Sequence, residues 1–66
     1  NHADIAYTTA VRLEPNMPVW WYRLGSVREA LGDYAGSLSA YERAVKLNPS
    51  YKEAVDGADR VKKQLG

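Results

Sequence analysis

The chain predicts an all-α fold in which antiparallel helix-turn-helix units stack side by side as a solenoid, and three observations carry that prediction. First, Ala6-Tyr-Thr-Thr-Ala-Val-Arg-Leu-Glu-Pro15 returns as Ala40-Tyr-Glu-Arg-Ala-Val-Lys-Leu-Asn-Pro49, a spacing of 34 residues with six of ten positions identical. The identities are apolar residues and proline, so what repeats is a packing surface. A period of about 20–50 residues marks architectures whose units bury their apolar faces against neighbours. Second, apolar residues elsewhere recur at spacings of three and four, the signature of one helix face. Third, the periodic stretches are punctuated by proline or by Gly32-Asp33.

Four helices follow, at about 3–13, 18–31, 34–47 and 51–65. The first places Ala3, Ala6, Tyr7, Ala10, Val11 and Leu13 on a stripe that runs into Glu14-Pro15. Asp4 stands where Leu38 stands one period later, which predicts a frayed start. In the second, Pro18 suits the first turn, where a missing N–H costs no intrahelical bond; Trp20, Trp21, Leu24, Val27 and Leu31 line one face. Gly32 can take the left-handed conformation that ends a helix, and Asp33 can accept a bond from the opening amides of the next.

The third helix has Tyr34, Leu38, Tyr41, Ala44 and Val45 on one face and ends before Pro49, because proline disfavours helical geometry in the residue preceding it. Glu42 and Lys46 form an exposed i,i+4 pair. The fourth opens at Ser50-Tyr-Lys-Glu53, the pattern of a capping box. Its stripe is Ala54, Val55, Ala58, Val61 and Leu65, with Asp56–Arg60 and Asp59–Lys63 expected as i,i+4 pairs on the solvated side.

Sixty-six residues make one domain with a small core, and neither cysteine nor a histidine cluster staples it: Cys is absent and His2 is the only histidine. No metal or cofactor is expected. Nine basic and eight acidic residues give a net charge of +1 with the signs interspersed, which argues against nucleic acid as a partner, since phosphate binding needs clustered cations. The longest apolar run, around Val19-Trp20-Trp21-Tyr22, is far short of the roughly 20 residues that span a bilayer, and no secretory signal stands out. Absence of Cys favours a reducing, cytoplasmic setting. The chain begins at Asn1, which suggests a segment of a longer protein.

No catalytic set can be assembled. Ser26, Ser37, Ser39 and Ser50 have only His2 as a base, and Gly25, Gly32 and Gly36 lie in a helical hairpin, not in the strand-turn-helix setting of a phosphate loop. Carboxylate pairs on a helix are ordinarily a solvated face.

Trp21-x-x-Leu24-Gly25, then Gly32-Asp33-Tyr34, then Tyr41-x-x-Ala44 and Pro49 resembles the tetratricopeptide repeat pattern of Trp, Leu-Gly, aromatic, Ala and Pro. The resemblance covers nearly the whole chain. It implies that residues 1–17 are the second helix of one repeat, 18–51 a complete repeat, and 52–66 either the first helix of the next repeat or a C-terminal capping helix. Gly25 then allows close helix approach, with Trp21, Leu24, Tyr41 and Ala44 filling the space. Four departures stand out. Ser37 replaces a small Ala and is expected to bond back to the carbonyl four residues earlier. Arg28 replaces an aromatic and should send its guanidinium to water. Asp4 is the third. Asp59 takes the place of Gly25 and, being costly to bury, argues that no second helix packs there.

In proteins resembling this one, the first helices of successive units line a concave groove that binds peptides of partner proteins. The implied partner is therefore another protein or peptide. The corresponding residues are Val19, Tyr22, Arg23, Ser26, Glu29 and Ala30, with Glu53, Asp56, Arg60 and Lys63 beside them; Tyr22 is the natural anchor. Members that capture a C-terminal carboxylate use Lys and Asn where Tyr22 and Ser26 stand, which disfavours that mode, while Arg23 can still meet an acidic partner residue. Trp20 and Tyr7 are expected to leave apolar area open at the N-terminal end and to favour homo-oligomers. Two alternatives to an interaction scaffold are an accessory arm of a larger enzyme, such as the bacterial glycosyltransferases whose repeats look like Trp-Tyr-Arg-Leu-Gly followed by Gly-Asp, and a pure oligomerisation module.

Overall fold

Proline and the Gly-Asp turn set the helix boundaries. The computed structural model, which describes residues 2–66, contains α1 (His2–Leu13), α2 (Pro18–Ala30), α3 (Tyr34–Leu47) and α4 (Lys52–Leu65). No strand occurs among the described residues. Pro18 opens α2. Gly32 adopts φ 86°, the left-handed conformation that reverses the chain. Asp33 then caps α3 by accepting the Gly36 N–H at 3.1 Å.

The start of α4 differs from the expected capping box. Asn48 Oδ1 accepts the Ser50 N–H at 3.1 Å, an Asx turn that carries the chain one residue further before it coils. Tyr51 becomes the N-cap, with no side-chain bond to the helix. The Ser50 hydroxyl and the Glu53 carboxylate are then one position out of register for reciprocal capping.

Helices α2 and α3 pack as a hairpin, α4 packs on α3, and α1 packs on α2, while α2 and α4 also touch. Two apolar clusters result. Val11, Leu24 and Ala40 form one, flanked by Tyr7, Trp20 and Trp21. Tyr41, Ala58 and Val61 form the other, flanked by Tyr22, Tyr34 and Leu38. Trp21 is oriented by its indole N–H, which donates to the Pro15 carbonyl at 2.8 Å, and the Arg43 guanidinium lies over its ring.

Several stripe residues at helix ends fall outside these clusters. Leu13 and Leu65, the last residues of α1 and α4, and Leu31, just past the end of α2, are exposed. Asp4, expected at a frayed start, lies within α1, accepts a bond from the Thr8 hydroxyl at 3.3 Å, and pairs with Arg28 at 3.5 Å. Arg28 therefore crosses from α2 to α1, and its guanidinium ends on a carboxylate instead of in open water.

Ser37 also departs from expectation. It is fully buried, and its hydroxyl donates at 2.6 Å to the carbonyl of Gly25 on α2, not to its own helix. The close approach that brings the two together depends on Gly25: a methyl group there would lie 2.8 Å from Cδ1 of Tyr41.

Candidate functional site

A single polar cluster fixes α2 and α4 to each other. Arg60 on α4 donates to both oxygens of Glu29 on α2, at 2.6 and 2.7 Å. The Tyr41 hydroxyl donates to Glu29 Oε1 at 2.8 Å, so α3 joins the same carboxylate. This bidentate pairing is the strong form of the ion pair. It holds the Glu29 carboxyl below its ordinary value of 4.5, with Arg60 the main cause, partial burial opposing, and Tyr41 assisting. The Arg60 guanidinium is pushed up in turn, chiefly by its bonds to Glu29. Burial, followed by the neighbouring Glu29, pushes the Tyr41 phenol up to about 12.

This arrangement revises two expectations. Arg60 was expected beside Asp56, four residues away on its own helix, but it reaches Glu29 instead. A carboxylate that is 20% exposed and already bonded to a tyrosine is a better-ordered acceptor than a fully solvated one. Consequently Glu29 and Arg60 are committed to each other, and they shape the surface without being free groups upon it.

Tyr41 sits at the centre of the cluster, with no exposure. Glycines contact it from both neighbouring helices: a methyl group on Gly57 would come within 2.7 Å of Tyr41 Cζ, just as one on Gly25 would crowd Cδ1. Gly57 was not singled out in the sequence, although a glycine inside a helical run costs about 1 kcal/mol and signals a packing need. Tyr22 stacks nearby, its ring centroid 5.8 Å from Tyr41 and 5.2 Å from Tyr51. The Tyr51 phenol is itself pushed up by burial, with Glu53 adding to the effect. Tyr22 is thus a half-buried member of an aromatic row, one edge open and the other built into the fold.

The remaining positions are more accessible. Arg23, Ser26 and Ala30 on α2 are exposed, as are Glu53, Asp56 and Lys63 on α4, while Val19 is half-buried. An open cavity of about 150 Å³ lies between α1 and α2, lined by Tyr7, Tyr22, Arg23, Ser26 and Val27. Asp59 is exposed.

At the N-terminal end, Tyr7 and Trp20 are not the open apolar pair expected. Their rings stack on each other with centroids 6.1 Å apart, both are half-buried, and the Trp20 indole N–H donates to Glu14 at 3.3 Å. Trp20 finds its cover on α1. The exposed large apolar side chains on this side are Ile5, Leu13 and Met17.

Among the described residues no group of His, Asp and Glu could hold a metal ion, and no helix is long and apolar enough to cross a membrane.

Residues 18–51 match the family model described as Tetratricopeptide repeat. Among curated proteins, the chain is similar to Protein O-mannosyl-transferase TMTC1 of Mus musculus, 35% identical over 63 residues that cover 91% of this chain and 7% of that protein. It is also similar to Protein O-mannosyl-transferase TMTC1 of Homo sapiens, 33% identical over 63 residues with the same two coverages. The chain therefore spans 7% of the length of these curated relatives.

Proposed function

This chain belongs to the tetratricopeptide repeat family, and from that membership we propose that it is a non-catalytic interaction module that binds a segment of a partner protein on the concave face shared by α2 and α4. Repeats of this kind generally mediate protein–protein interaction. The observation that carries the placement is the division of labour on that face. Glu29, Arg60, Tyr41 and half of Tyr22 are locked into one another, while Arg23, Ser26, Ala30, Glu53, Asp56 and Lys63 are exposed and Val19 is half-buried beside them. A surface held rigid before binding loses less entropy when a partner docks. On this reading residues 52–66 are the first helix of a next repeat or a capping helix.

The test is capture of partners by the chain, wild type beside Ala30→Arg. Ala30 is exposed, so the added arginine obstructs the face without entering the core, and Glu42→Arg on α3 serves as a control. Partners lost with Ala30→Arg and kept with Glu42→Arg support the proposal. Identical sets from all three sink it.

The similarity to TMTC1 favours a second reading in which such a module is one part of a larger transferase and holds its protein substrate. A transferase domain in the same polypeptide, whose activity toward protein but not toward a short peptide falls with Ala30→Arg, would support it; equal activity toward both would remove it. Self-association is a third reading, resting on Ile5, Leu13 and Met17. Sedimentation at high concentration decides it: Leu13→Asp should convert a dimer to a monomer, and a wild type that is monomeric throughout ends the idea.

A further inference from the structure

The Tyr41 ring is held between two backbones. A methyl group on Gly25 of α2 would lie 2.8 Å from its Cδ1, and one on Gly57 of α4 would lie 2.7 Å from its Cζ. The side chains that α4 buries are Ala54, Gly57, Ala58 and Val61, small ones throughout. Ala58 and Val61 cluster with the ring, flanked by Tyr22, Tyr34 and Leu38. Crossing angles between helices are ordinarily fixed by ridges of larger side chains seated in the grooves of a neighbour. A flat ring against glycine and alanine supplies little such relief, and α4 can turn on it with little loss of packing.

The tip of the same ring carries polar bonds that oppose the turn. The Tyr41 hydroxyl donates to Glu29 Oε1 at 2.8 Å, and Arg60 donates to both Glu29 oxygens at 2.6 and 2.7 Å. A bidentate guanidinium–carboxylate pair constrains orientation as well as distance. The Arg60 side chain is 56% exposed and that of Glu29 20%, so this cluster can open to water without uncovering the core. Ring, glycines and polar cluster are complete within three consecutive helices, α2 to α4.

We propose that Tyr41, Glu29 and Arg60 form a latch that sets the angle between α2 and α4, with the Tyr41 ring as the bearing on which α4 swings when the latch opens. Glu29 and Arg60 are then positioning residues: they set how far apart the two helices stand. This goes beyond the partner-binding reading and stands without it.

The chain has no cysteine, so nitroxide labels can be placed in pairs and their separation read by dipolar electron paramagnetic resonance. One pair, Ala30→Cys on α2 and Lys63→Cys on α4, reports the angle; a second, Arg23→Cys and Glu42→Cys, reports the α2–α3 hairpin, and all four positions are exposed. Lys63 lies six residues past Gly57, a lever of about 9 Å. A swing of about 15–20°, the scatter that helix crossings tolerate, displaces it by about 2–3 Å. Arg60→Gln should shift or broaden the α2–α4 separation by about that amount, about 2–3 Å, and Tyr41→Phe, which loses one bond of the three, should do so by less. The hairpin pair should stay as it is in the otherwise unaltered chain. Arg60 is exposed and phenylalanine fills the place of the tyrosine ring, so both variants keep the fold, which circular dichroism verifies. An α2–α4 separation unchanged in either variant overturns the latch. An equal change in the hairpin pair overturns it too, because the whole fold has then loosened. No partner enters the measurement, so failure here leaves the interaction reading standing, and partner sets unaffected by Ala30→Arg sink that reading while leaving the latch.

Discussion

Tyr41 is the residue on which most of the packing converges, and its environment makes two outcomes calculable. Gly57→Ala adds a methyl group 2.7 Å from the ring. Alanine improves helix propensity by about 1 kcal/mol, but overpacking a closed contact costs about 1–3 kcal/mol, so the variant should be less stable in urea unfolding. An increase in stability would mean that the ring moves aside freely. The second outcome follows from the phenol, pushed from an ordinary 10.0 up to about 12. A raised folded pKa contributes stability that is fully present below pH 10 and is lost as pH rises toward 12. Wild-type helicity should therefore fall across that window, and Tyr41→Phe should fall less steeply when followed by circular dichroism. At this scale the sequence was partly legible. The repeat identified Tyr41, which recurs as Tyr7 one period earlier, and the resemblance to the tetratricopeptide pattern identified Gly25 as a packing residue. The repeat left Gly57 unnoticed, since this glycine has Arg23 one period earlier and so belongs to no repeated position. Ser37 was recognised as unusual, but its bond to the Gly25 carbonyl depends on how closely two helices approach, a distance that no local spacing encodes.

The helices interact through one clamp that local rules misplaced. An i,i+4 pattern offered Asp56 to Arg60, and the helix surface rule gives such a pair only a few tenths of a kcal/mol. Arg60 instead joins Glu29 on α2, where the Tyr41 hydroxyl has already positioned the carboxylate. A contact between residues 31 apart in sequence is visible only once α2 and α4 are side by side. Arg60 remains 56% exposed, so screening by solvent limits the pair to roughly 0.5–1 kcal/mol. The sign of its pH dependence is clear: Glu29 has a lowered pKa, so its stabilisation is present above the ordinary 4.5 and disappears as pH falls through the folded value. Glu29→Gln should be less stable than wild type at pH 7, and the difference should shrink as pH falls below the ordinary 4.5 and vanish once the folded carboxyl is protonated. A gap that persists in acid would show that shape, not charge, carries the contact. The same clamp explains why Glu29 and Arg60, two of the positions the resemblance implied, are not free groups on the surface. Which residues share a helix face was readable from helical periodicity, and their place on a groove was implied by the resemblance; which of these side chains are spent on internal bonds was not readable.

Across the whole molecule, stability is distributed along the stack in step with burial. The class of fold and its four helices were legible because the repeat, the prolines and the Gly-Asp turn agree with one another, and such agreement between levels is what specifies a structure. Less legible was the uneven security of the helices. In α3, Ser37, Ala40, Tyr41 and Ala44 are buried between α2 and α4, whereas α1 buries Val11 alone. Beyond that residue α1 is held by the Tyr7–Trp20 stack and by the Asp4–Arg28 pair, and it packs on α2 without a comparable contact to α3. In a solenoid each unit is stabilised mainly by its nearest neighbours, so within these 66 residues the helix with the least buried surface should open first. Amide hydrogen exchange should show α1 protected at least about tenfold less than α3, a difference of about 1.4 kcal/mol in opening free energy. Trp20→Ala removes the ring against which Tyr7 packs. It should lower protection in α1 while leaving α4 nearly unchanged, because Trp20 belongs to the cluster of Val11, Leu24 and Ala40 and not to that of Tyr41, Ala58 and Val61. Equal protection in all four helices, or an equal loss in α4 on replacing Trp20, would show that the two clusters unfold together as one cooperative core.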